Sequence, residues 1–159
     1  MIEREYATND THAKQTLSVV IDAKAEQVFD YLATTEGISI WFRELSFNEE
    51  NEVLFDLGDG TYERMDILNL EKNRLIAYEW GTGQVTFKLS EYDGKTKLTF
   101  TEVLPFSFGT VSQDFAGWDY HMTNIKEVVE TGSVDEMRME EFHKRKTEIE
   151  AEIERNLSN

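Results

Sequence analysis

The residues best equipped for chemistry in this chain are one histidine, one glutamate and a set of large aromatic side chains. His121 stands in the run Trp118-Asp119-Tyr120-His121-Met122. An imidazole on the inner face of a helix can act as acid, base or hydrogen-bond donor. The bland alternative, a helix histidine satisfied by a backbone group or water, is the commoner case. Glu102 lies two residues after Phe100 in an alternating run. If that face points inward, the carboxyl needs a partner such as His121 or a tyrosine hydroxyl, because an unpaired buried carboxylate is costly. His121 with Glu102 or a tyrosine on one cavity would suit a cyclase- or hydratase-like enzyme. If the face points outward, Glu102 is simply solvated. On either face a non-enzymatic protein is the leading expectation.

Other chemistries find little support. The chain has no cysteine, which removes disulfides, thiol nucleophiles and cysteine-ligated metals. His12, His121 and His143 fall in separate segments, without the spacing of a metal-binding helix. Asp56-Leu57-Gly58-Asp59-Gly60 lacks the remaining ligands of a calcium loop and reads as an acidic turn. No nucleophile elbow, P-loop or dinucleotide fingerprint is present. Neither a metal nor a cofactor is expected.

The elements that must position these residues follow from periodicity. Leu17, Val19 and Ile21 alternate, which predicts a first strand over 15–21. The period then changes: Ala25, Val28, Phe29 and Leu32 sit three or four apart, as on one helix face, with Asp22 as the candidate cap. A short or irregular helix over 35–42 ends in Ile40-Trp41-Phe42, weakened by Gly37. From 43 to 104 strand follows strand: 52–57, 61–70, 74–80, 84–92 and 95–104. Short turns separate them, Asp93-Gly94 being the sharpest hairpin signal, and the result is an antiparallel meander. Pro105 closes the last strand, and 106–111 reads as a loop with exposed aromatics. Trp118, Met122, Ile125 and Val129 then form one apolar stripe of a long helix starting near Ser112, with Gly132 as its C-cap. A last helix over 134–156, supported by Glu140–Lys144 and Glu141–Arg145 spacing, carries a thin stripe of Met137, Phe142, Ile149, Ile153 and Leu157.

Charge narrows the partners. A net charge of -16 on 159 residues repels phosphate backbones and anionic lipid surfaces, so neither nucleic acid nor membrane is expected as a partner. The polar segment 1–14 lacks the apolar stretch of a signal peptide, and a cytoplasmic protein is the expectation.

The order strand, two small helices, antiparallel strands, long helix resembles the START-like (Bet v 1-like, SRPBCC) helix-grip superfamily. Local signatures resemble its branch named after the activator of heat-shock-protein-90 ATPase homologue. They are Val19-Val20-Ile21-Asp22-Ala23 with Ala25, Val28, Phe29 and Leu32; Trp41-Phe42; Leu75-Ile76-Ala77-Tyr78-Glu79-Trp80; Leu98-Thr99-Phe100-Thr101-Glu102; and Gly117-Trp118. The resemblance covers 15–131. It implies an α+β helix-grip fold: a curved antiparallel sheet wrapped around a long C-terminal helix, with two short helices after the first strand. It divides the chain into a polar arm (1–14), the helix-grip domain (15–132) and an additional acidic helix (133–159) packed on the domain or on a partner.

Such a fold implies an apolar pocket between sheet and long helix. Alternation nominates Tyr78, Trp80, Phe87 and Phe100 from the sheet and Trp118, His121, Met122 and Ile125 from the helix, with Trp41 and Phe42 near the mouth. The expected function is binding of a hydrophobic small molecule there. A co-chaperone-like interaction module, which the family name implies, is the alternative, and a homodimer through the last helix is open.

Overall fold

The computed structural model describes residues 2–134 and 139–158. The expected alternation over 15–21 belongs to a longer strand, β2 (His12–Ile21), and this is not the first ordered element. The segment read as a polar arm forms β1 (Glu3–Thr8), which pairs antiparallel with β2 along its whole length. It follows that Met1–Lys14 cannot be judged by hydropathy alone: half of a polar strand can face solvent while its backbone is satisfied by the neighbour.

After β2 come α1 (Ala25–Ala33) and α2 (Thr35–Trp41), then β3 (Leu45–Phe47), β4 (Glu52–Asp56), β5 (Tyr62–Glu71), β6 (Leu75–Trp80), β7 (Gly83–Tyr92) and β8 (Lys95–Pro105). All strands join one antiparallel sheet in the order β1-β2-β8-β7-β6-β5-β4-β3. The β7–β8 turn at Asp93-Gly94 has positive φ at both residues, as the tightest hairpins require. A bulge between Ile67 and Asn69 of β5 adds local bend to the sheet. The long helix α3 (Val111–Thr131) lies in the concave face, and α4 (Met139–Ser158) follows it. This is the expected α+β helix-grip architecture.

Local details correct several expectations. Asp22 does not cap α1; Lys24 occupies the cap position without a side-chain bond, and the Ala25 N–H is taken by Glu91 Oε1 at 2.7 Å from the end of β7. α2 is a regular helix whose cap Thr34 accepts from the Gly37 N–H at 3.0 Å. Gly37 serves contact rather than irregularity: a Cβ there would lie 2.2 Å from the Asp30 carbonyl oxygen of α1. The stretch after β8 is a single 3-10 turn, Phe106–Phe108, and both of its aromatic rings are half-buried against the core rather than exposed. Gly132 ends α3 as expected, at φ 87°, with its N–H on the Val128 carbonyl.

In α4, Ile149 and Ile153 are buried and Phe142 packs partly on the core, while Leu157 is exposed; Met137 lies outside the described residues. Arg145 is drawn to Glu148 (2.8 Å) and Asp119 (3.9 Å). Among the described residues no helix is long and apolar enough to cross a membrane.

Candidate functional site

Strand register decides which side chains share the concave face. Residues opposite one another on neighbouring strands point the same way and stand about 5 Å apart. One row across the sheet is Leu17–Phe100–Phe87–Ile76, entirely apolar and entirely buried. The neighbouring row is Tyr6–Gln15–Glu102–Val85–Tyr78. It is buried as deeply along Gln15, Glu102, Val85 and Tyr78, yet it carries four polar side chains.

Above the apolar row, Trp118 of α3 sits at the centre of a ring cluster. It stacks on Phe100 (centroids 4.8 Å) and meets Trp80 (5.0 Å), Phe42 (5.5 Å), Phe87 (5.9 Å) and Trp41 (6.2 Å) edge-on or tilted. Offset and edge-to-face geometries are what aromatic quadrupoles favour. Tyr78 reaches the cluster through Phe87, and Met122 and Ile125 are fully buried one and two turns along α3. The ten residues nominated from the sequence thus converge on one interior. Trp41 and Phe42 do not line an open mouth: both are buried, and Trp41 Nε1 donates to the Tyr31 carbonyl at 2.8 Å.

His121 lies flat on Phe42, with centroids 4.0 Å apart and 19° between planes. Burial is the main influence on its ring and lowers its pKa from 6.5 to about 4, against a smaller opposing effect of a backbone hydrogen bond to Trp41. The imidazole is therefore neutral at pH 7. Its edge reaches the surface, but its Nδ1 is buried without a partner among the described residues.

Glu102 is fully buried. Its Oε1 accepts from Gln15 Nε2 at 3.3 Å, and Gln15 Nε2 also donates to the Phe115 carbonyl at 3.1 Å. On its other side stands Asp114, in the first turn of α3. Both oxygens of Asp114 accept from Trp80 Nε1, at 3.2 and 3.1 Å. Two carboxyls can bond only through a proton, and burial, followed by the hydrogen bond and charge of Asp114, pushes the Glu102 pKa well above the carboxylate range. Glu102 Oε2 is left without a hydrogen-bond partner among the described residues. The structure does not bring Glu102 and His121 into one hydrogen-bonded pair: the first is bonded to Gln15 and faces Asp114, and the second lies on the Phe42 ring.

Gln15, Asp114 and Tyr6 were absent from the sequence reading of the site. Gln15 shares the inward alternation of Leu17 and Val19, and Asp114 precedes Trp118 by four residues on the same helix face, so both were accessible to pattern. Polarity hid them, since inward faces were sought by hydropathy.

Two clefts open elsewhere, behind α3. They measure about 490 and 620 Å³ and share Arg4, Arg145 and Glu148 as lining residues. Between them Arg4 grips the buried Asp119 with two hydrogen bonds, Nε to Oδ2 at 2.6 Å and Nη2 to Oδ1 at 3.1 Å. This face is built by β1, α3 and α4.

A curved antiparallel sheet gripping one long helix over an aromatic interior defines a START-like helix-grip domain. Residues 22–130 match the family described as activator of Hsp90 ATPase homolog 1-like protein, and the chain belongs to that family. Its fold is similar to that of the conserved protein of unknown function EF2215 from Enterococcus faecalis, with TM-score 0.88, 25% identity and coverage of 97% of this chain and 92% of that one. CalU16 from Micromonospora echinospora aligns over 96% of this chain and 98% of its own, with TM-score 0.75 and 18% identity. The Aha1 dimer from Colwellia psychrerythraea aligns over 76% of this chain and 98% of its own, with TM-score 0.63 and 16% identity. None of the curated proteins compared with the chain matches it in sequence.

Proposed function

We propose that this domain binds a hydrophobic small molecule between the sheet and α3, and holds it without chemical change. One observation carries the reading. Tyr78 Oη, Trp118 Nε1 and His121 Nδ1 are buried among the aromatic rings without a hydrogen-bond partner among the described residues. Folded proteins leave few such atoms, and several on one apolar interior fit a ligand with a mostly apolar body and a few polar groups. The lining is the nominated set: Trp41, Phe42, Tyr78, Trp80, Phe87, Phe100, Trp118, His121, Met122 and Ile125. These rings touch one another, so uptake displaces them. The two-turn helix α2, which carries Trp41 and lies next to Phe42, is the element that moves aside in this reading. The absence of cysteine and the acidic surface suit a cytoplasmic carrier.

Native mass spectrometry of the protein purified from cells, beside a denatured control, tests this. The expected result is a small added mass that disappears on denaturation. Folded Phe87→Trp and Met122→Trp proteins lose that mass; retention by both would overturn the placement. The same spectrum reports whether the chain is a dimer.

The clefts behind α3 favour a second reading, an interaction module of the co-chaperone kind whose partner seats on β1 and α4. It predicts a partner protein released by Arg145→Glu. A pull-down that recovers nothing above background from either protein would remove it.

A further inference from the structure

The polar end of the interior has a donor and acceptor count that narrows the ligand's chemistry. The donors nearest Glu102 and Asp114 are spent: Gln15 Nε2 on Glu102 and the Phe115 carbonyl, Trp80 Nε1 on Asp114. Two acceptors are left over, Glu102 Oε2 and Gln15 Oε1, both on residues with no solvent exposure. A shared proton can bridge Glu102 to Asp114, but it leaves Gln15 Oε1 unsatisfied. The flanking hydroxyls of Tyr6 and Tyr78 can each donate or accept. Among the described residues no basic side chain acts on Glu102: Asp114 of α3, Gln15 of β2 and burial are the influences on it. Arg4, the nearest cation on β1, is engaged with Asp119 instead.

An ammonium group meets this count where a proton does not. It has three N–H donors, enough for Glu102 Oε2, Gln15 Oε1 and one Asp114 oxygen. Its positive charge also suits the setting. Trp80 reaches Asp114 through its indole N–H, Trp118 lies 5.0 Å from Trp80, and Phe100 stacks under Trp118. These rings offer apolar contact to the body of such a ligand. Outside, a net charge of -16 draws cations toward the domain and repels acids.

We propose that the ligand is a hydrophobic amine, bound as its ammonium ion between Glu102 and Asp114, with its apolar body among Trp80, Trp118 and Phe100. The assignment rests on the pocket reading above and specifies its ligand. The exchange balances: one proton leaves Glu102 for solvent as the ammonium enters, so one positive charge replaces another and no covalent bond changes. The charge of the site is the same before and after, which avoids the cost of burying an extra charge.

Isothermal titration calorimetry of the intact chain with phenethylamine, phenethyl alcohol and phenylacetate tests it. The three share one body and differ in the polar group. Phenethylamine is expected to bind about tenfold or more tightly than the alcohol, and phenylacetate more weakly than either. Titration in two buffers of different ionisation enthalpy should show a proton released per amine bound. In Glu102→Gln and Asp114→Asn the amine's advantage over the alcohol falls to near unity and proton release disappears. Equal binding of all three probes would overturn the amine assignment while leaving the pocket standing. The same holds for an amine preference that survives both substitutions. If none of the three binds, the pocket reading falls and takes the assignment with it.

Discussion

Two neighbouring rows of the concave face are buried alike, apart from half-buried Tyr6 at the end of one, and differently built. Leu17–Phe100–Phe87–Ile76 is closed by apolar contact alone, and Trp118 stacks on it. Tyr6–Gln15–Glu102–Val85–Tyr78, one step along the same strands, holds four buried polar atoms without partners among the described residues. Burial of apolar area stabilises a fold, whereas burial of unpartnered polar groups costs stability and is retained where it serves something else. In the proposed reading the first row is both scaffold and the apolar wall of the pocket, and the second supplies its polar groups.

The largest effect expected is on the scaffold row. Phe100→Ala removes the ring under Trp118 and should cost about 3–5 kcal/mol in urea denaturation; a loss under about 1 kcal/mol would show that the row is not the structural core.

His121 comes next, at the edge of the ring cluster. Its folded pKa is depressed to about 4, while the unfolded chain takes up a proton below about 6.5. The stability it contributes is fully present above 6.5 and is lost as pH falls toward 4, by about 3 kcal/mol. Urea midpoints measured across that window should slope for the parent chain and flatten for His121→Gln.

Glu102 has the opposite sign. Its folded pKa is raised, so its contribution is full below the ordinary carboxylate value of 4.5 and declines as pH rises above it. Glu102→Gln keeps a donor toward Asp114 and cannot ionise. The variant should melt higher than the parent at pH 8, with Tm rising about 2–4 °C per kcal/mol relieved. A melting curve as pH-dependent as that of the parent would place the titration elsewhere.

The smallest effect belongs to Tyr78→Phe. Removing a hydroxyl that has no partner among the described residues should change stability by under about 1 kcal/mol, yet weaken retention of the co-purified ligand in the native mass spectrum. A large destabilisation with unchanged ligand retention would make the hydroxyl structural, and the polar row would then differ less from its neighbour than proposed.

The strands between Glu52 and Pro105 were legible because alternation and turn residues are local. Asp93-Gly94 states its own turn type, and Gly132 marks the end of α3 for the same reason. β1 was missed because Glu3, Arg4 and Glu5 mask an edge strand whose order comes from β2. The cap of α1 was misassigned because Glu91, 66 residues away, supplies it. Gly37 looked like a weak point because nothing local announces that the Asp30 carbonyl lies against it. For the site, the aromatics were found by hydropathy and alternation. Gln15 and Asp114 were passed over because a polar residue on an inward face looks like an outward one until register is known.

Local order alone thus determined the succession of elements, the apolar stripe of α3 and the aromatic character of the interior, because hydrophobic period and turn chemistry act over a few residues. Only the tertiary structure decided that Tyr6, Gln15, Glu102 and Tyr78 stand in one row, that Asp114 faces Glu102, and that His121 does not. Those relations depend on strand register and on where a helix comes to rest, and both are set by contacts between residues far apart in the chain.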